Sequence, residues 1–104
     1  MDRYTVEYLP AALDDLTSIF NYILESSQNR TTAERYIDRL YQRCERIADA
    51  PLGGVARPEL GANLRMAVFE RSAVILYVVE DHLIGITNIF SGGQDYEALL
   101  RSDR

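Results

Sequence analysis

From Arg3 to Leu9 the chain alternates loosely, with Tyr4, Val6 and Tyr8 on one side and Arg3, Thr5 and Glu7 on the other, the period of a half-buried strand. Pro10 ends that run and suits the first turn of a helix. Beyond it Leu13, Leu16, Phe20, Ile23 and Leu24 recur at spacings of three and four, which predicts an amphipathic helix over about Ala11 to Glu25. Ser26-Ser27-Gln28-Asn29 is a polar break, and Thr31 followed by Glu34 fits a capping box that opens a second helix. Its apolar stripe is Ala33, Tyr36, Ile37, Leu40, Tyr41, Cys44 and Ile47, opposite a row of Arg35, Arg39, Arg43 and Arg46 interspersed with Asp38, Gln42 and Glu45. So short a link predicts an antiparallel hairpin. The Arg row reads either as a surface for an acidic partner or, the favoured reading, as a solvated face relieved by (i, i+3) pairs such as Arg35 with Asp38.

Pro51, Gly53, Gly54, Pro58 and Gly61 predict a surface loop from Pro51 to Asn63, of a length that often carries function. Three β-like runs follow, Leu64 to Phe69, Ala73 to Val79 and Leu83 to Phe90, joined by Glu70-Arg71-Ser72 and Glu80-Asp81-His82. Such short polar links predict an antiparallel meander. Val74, Ile75, Leu76, Val78 and Val79 make its middle run almost wholly apolar, as befits a central strand covered on both faces, with the helix hairpin as one cover. Gly92-Gly93 breaks the last strand, and Asp95 to Arg101 closes the chain as a helical turn or a further short strand. The expectation is a single α+β domain spanning residues 1–104: an N-terminal strand, a helical hairpin, then a three-stranded antiparallel meander forming one sheet packed on the helices.

The 104 residues are 47% hydrophobic, enough for one core without metal or disulfide support, and Cys44 is the only cysteine. With neither a leader-like N-terminus nor an apolar run of membrane-spanning length, the expected setting is the reducing cytoplasm. The formal charge of −5 is opposite to the footprint of a protein that holds nucleic acid through its phosphates. All 11 basic residues are arginine, so each is a permanent, planar, bidentate donor. One cysteine and one histidine far apart make no metal-ligand set, and no cofactor motif occurs. Cys44, inside the apolar stripe, reads as a small buried hydrophobe, and His82, in a hairpin link, as an exposed turn residue. What remains is Arg57 in the loop, Arg65 on the first meander strand, and Gln94, Asp95 and Tyr96 after the last. If the loop folds over the sheet, two guanidiniums clamp an anion while a phenol supplies a proton; otherwise these are separate surface residues making local salt bridges.

The order of these elements resembles the RelE/ParE toxin superfamily, and residues along nearly the whole chain carry the likeness. Tyr4-Thr5-Val6 leads to Ala12, Asp15-Leu16, Ile19 and Tyr22-Ile23; a second block holds Ala33, Tyr36, Leu40, Cys44, Ile47-Ala48, Pro51, Gly53, Arg57 and Glu59-Leu60. Leu64-Arg65 follows, and a last block has Val74-Ile75, Tyr77-Val78-Val79, Ile84, Ile86, Ile89 and Gly93-Gln94-Asp95-Tyr96. The resemblance implies one of two activities. The RelE branch cleaves messenger RNA on the ribosome using Lys and Arg with a general acid or base, and the lack of lysine and the net acidity fit it poorly. The ParE branch, favoured here, binds DNA gyrase and poisons its cleaved-DNA complex without being an enzyme. A third possibility is an inactive relic that only binds antitoxin. A ParD-like antitoxin is the implied partner, masking the toxin, supplying the contacts to operator DNA and stabilising any plasmid that carries the pair. Arg57, Arg65, Gln94, Asp95 and Tyr96 are the implied target-binding residues. Gln94 departs from the basic residue common at that place in the family.

Overall fold

The computed structural model describes residues 4–91. The chain runs β1 (Thr5–Tyr8), α1 (Pro10–Ser27), α2 (Arg30–Arg46), a single 3-10 turn (Ile47–Asp49), β2 (Val55–Ala56), β3 (Leu64–Phe69), β4 (Ala73–Glu80) and β5 (Leu83–Ser91). The helices and the three meander strands fall within a few residues of where periodicity puts them. The sheet is wider than the meander, with order β1-β5-β4-β3-β2. β1 lies parallel to β5 after the helical crossover, and β2, inside the expected loop, pairs antiparallel with β3.

β4 sits at the centre and its alternation serves two cores. Ile75 and Tyr77 face the helices, joining Leu16, Ile19, Leu40, Cys44 and Ile86 in the main cluster, while Leu76 belongs with Leu60 and Leu64 on the far face, where Val74, Val78 and Phe90 pack. No helix among the described residues is long and apolar enough to cross a membrane.

Two local expectations change. The cap of α2 is Asn29, whose side chain accepts from the Thr32 amide at 3.1 Å; Thr31 is already helical, and Glu34 pairs with Arg30 instead of reaching back. The Arg row is also more than a solvated face. Arg39 holds Glu70 through two bonds of 2.8 and 3.2 Å, and Arg43 donates to the Val68 carbonyl at 3.1 Å. Tyr36 shares a 2.7 Å bond with Ser72. α2 is thereby stitched to the β3–β4 turn, where Glu70 and Arg71 adopt left-handed φ of 47° and 56°. A two-residue turn between right-twisted strands requires that conformation and rarely takes it without glycine or asparagine.

α1 is tied to the sheet by a carboxylate. β1 covers β5 only from Leu83 to Ile86, and further along Asp15 accepts the Ile89 amide at 2.8 Å. Burial raises the Asp15 pKa, and the bonds from Ile89 and Asn88 only partly offset that. Because the folded value exceeds the unfolded one, the ionised carboxylate opposes folding: the penalty is absent below the ordinary aspartate range and appears as pH rises through it to the folded value. Asp15→Asn, which keeps an acceptor, should therefore melt above the parent at pH 7, with the difference vanishing near pH 3. Thermal melts across that range check it; a deficit at pH 7 would show that the charge itself is needed.

Candidate functional site

The Pro51–Ala56 segment is fixed by two side chains of the sheet. Tyr77 on β4 and Arg65 on β3 are register partners and so share the helix-side face. The Tyr77 hydroxyl, 1% exposed as a residue, donates to the Pro51 carbonyl at 2.9 Å and accepts from the Gly54 amide at 3.0 Å. Arg65 Nη1 donates to the carbonyls of Leu52 at 3.1 Å and Gly54 at 2.8 Å. These four bonds satisfy backbone groups that the tight loop leaves without a ladder. Gly54 is required here by close approach, since a Cβ would collide with the Tyr77 hydroxyl and lie 2.8 Å from the Met66 carbonyl.

So held, the loop presents Leu52 and Val55 to solvent, 67% and 61% exposed. Beside them opens a shallow cavity of about 310 Å³ lined by Leu52, Ala56, Pro58, Asn63, Leu64, Arg65 and Val79. Its walls are mainly apolar and its one charged lining group is Arg65, the usual composition of a recognition pocket.

Arg57 takes a different course. Its amide donates to the Leu64 carbonyl at 2.8 Å, which continues the β2–β3 register and places it opposite Leu64. Its guanidinium meets Glu59 and the Met66 sulfur, on the face away from the helices. Arg57 and Arg65 therefore lie on opposite faces of the β2–β3 ribbon rather than converging as one clamp. Gln94, Asp95 and Tyr96 lie outside the described residues. Cys44 is fully buried in the main core, which pushes its thiol up to about 12. His82 is in the β4–β5 turn, its ring 5.3 Å from that of Tyr4.

Tyr77, Gly54 and the exposed pair Leu52 and Val55 escape a reading by residue type. Tyr77 looks like one more apolar member of the central run, and only the position of its hydroxyl below the loop distinguishes it. The signal available in advance is a lone phenol inside an aliphatic strand, since a buried tyrosine must find a partner for its oxygen.

A family model described as the ParE toxin of type II toxin-antitoxin system, parDE, matches residues 6–96. Among solved structures, the chromosomal ParDE toxin–antitoxin system of P. aeruginosa superposes with a TM-score of 0.73 at 17% identity, covering 85% of this chain and 95% of that one. At that identity the likeness speaks for the fold. No curated protein matches.

Proposed function

Since the chain belongs to the ParE toxin family of type II toxin–antitoxin systems, we propose that it arrests bacterial growth by binding DNA gyrase and holding it on cleaved DNA. A ParD-like antitoxin, also the anchor of the pair on operator DNA, neutralises it in the cytoplasm.

The observation that carries this reading is the family match from β1 through Tyr96, nearly the whole chain. The arrangement of the basic residues supports it. A cleft that cuts RNA needs cations and a proton donor or acceptor around one phosphate. Here Arg65 commits two donors to loop carbonyls on one face, and Arg57 sits against Glu59 on the other. A net charge of −5 gives no long-range attraction for ribosomal RNA. A moored loop with exposed Leu52 and Val55 is better suited to docking on a protein surface.

Induction of the chain alone in bacteria tests the proposal, with growth, the DNA-damage response and transcript integrity scored together, alongside supercoiling by purified gyrase. The expected result is filamentation with a damage response, intact transcripts and inhibited supercoiling. Arg65→Ala, checked for folding, should weaken all of these, since it releases the Leu52 and Gly54 carbonyls. Rapid translation arrest with cut messages and unaffected gyrase would overturn the reading.

A further inference from the structure

The cavity beside β2 holds a cation that its own loop does not saturate. A guanidinium carries five N–H donors. Arg65 uses Nη1 on the carbonyls of Leu52 and Gly54, and its Nε and Nη2 have no acceptor among the described residues. Around it the cavity walls are Leu52, Ala56, Pro58, Leu64 and Val79, with Asn63 as the second polar group. A partly desolvated guanidinium attracts an anion more strongly than a fully hydrated one, and its flat Nε–Nη2 edge matches the two oxygens of one carboxylate.

The strand beside the cavity adds a second requirement. β2 is the last strand of the sheet on this side, with no described strand beyond it. Val55 pairs with Met66 and the Arg57 amide bonds Leu64, so the N–H and C=O of Ala56, between them, turn away from β3. An extended segment gains backbone bonds on such an edge and places alternate side chains toward the pocket. Val55 and Leu52, the most exposed of the large apolar side chains on this loop, give its flanking apolar residues something to cover.

We propose that this edge and cavity bind an extended segment of the protein partner, with one acidic side chain of that segment taken by the Nε–Nη2 edge of Arg65 and apolar residues either side laid over Leu52 and Val55. A carboxylate fits better than a nucleic-acid phosphate, because the walls are apolar, only one guanidinium lines the cavity, and a chain of charge −5 repels a polyanion along its length. The proposal rests on the family reading in taking the antitoxin as that partner.

The probe is the antitoxin encoded beside this gene, bound to the full chain. Each Asp and Glu of the antitoxin's C-terminal half is changed to its amide in turn, against wild-type, Arg65→Gln and Tyr77→Phe toxins. Arg65→Gln is expected to weaken the complex about 10- to 100-fold, and one antitoxin amide variant should lose affinity against wild type but little against Arg65→Gln, a coupling of at least about tenfold. Tyr77→Phe releases the loop without removing the cation, so it should weaken every antitoxin variant alike and leave that coupling intact. If the antitoxin binds and no acidic position couples to Arg65, the carboxylate site is overturned while the family reading stands. If the antitoxin neither binds nor rescues growth, the partner reading and the site fail together. Arg65-dependent binding of a single-stranded RNA 12-mer at physiological salt would replace the carboxylate by a phosphate and also overturn it.

Discussion

Valine in place of Gly54 is expected to abolish the moored conformation of the 51–56 loop and to lower stability by about 2–4 kcal/mol, the cost of overpacking combined with a broken buried hydrogen-bond set. A Cβ at this position meets the Tyr77 hydroxyl and ring carbon on one side and the Met66 carbonyl, 2.8 Å away, on the other. Neither neighbour is the free end of a flexible side chain: Tyr77 is buried in the main core and Met66 is backbone-paired to Val55. The loop must therefore lift, which frees the Pro51 carbonyl and the Gly54 amide from Tyr77 and both carbonyls from Arg65. Denaturant melts measure the stability loss, and amide exchange at Gly54 reports the loop. Because Leu52 and Val55 move with it, growth inhibition should fall as well. Gly53→Ala is the control: its Cβ would meet only Ala50, at 3.1 Å or more, and it should be far milder. Equal losses from the two substitutions would mean that the Tyr77 approach does not govern the loop.

Elements governed by local periodicity were readable from the residues alone. The stripe from Ala33 to Ile47 predicts a helix that buries Ala33, Leu40, Cys44 and Ile47, and those four are buried. The apolar run of β4 predicts a strand covered on both faces, and it lies in the middle of the sheet. What was not readable depends on partners far apart in the chain. β2 is two residues long and exists because β3 offers it a ladder, so the glycines and prolines around it outweigh any strand signal. The parallel seat of β1 against β5 follows from the path of the crossover, which periodicity within β1 cannot reveal.

The candidate site divides in the same way. Arg57 and Arg65 stand out by residue type and by their place next to a long loop, yet their separation onto opposite faces follows from register, where a shift of one residue reverses the side a side chain takes. Tyr77 acquires its role only when the loop closes beneath its hydroxyl, a contact 26 residues away in sequence. A residue can thus shape a surface without lying on it, and the groups that stand out by charge include one, Arg65, that holds the loop as well as facing the cavity.

The hold of α2 on the sheet gives the second large effect. Leu40 is fully buried in the main core, so Leu40→Ala should cost about 3 kcal/mol, from the lost transfer term and the cavity left behind. Alanine is the best helix former, so nothing in the helix itself accounts for that loss; if anything, local propensity works slightly the other way. The ion pair between Arg39 and Glu70 is the more conspicuous contact, with two bonds from one guanidinium. It is half-exposed at both ends, with side-chain exposures of 49% and 42%, and water already solvates both charges. Arg39→Ala should therefore leave the melting midpoint near the parent's, with any small loss shrinking further as salt is raised. The reverse order, a costly Arg39→Ala and a mild Leu40→Ala, would mean that the polar stitching to the β3–β4 turn, rather than the buried stripe, fixes the hairpin on the sheet. Parallel denaturant melts of the two variants at low and high salt decide between them.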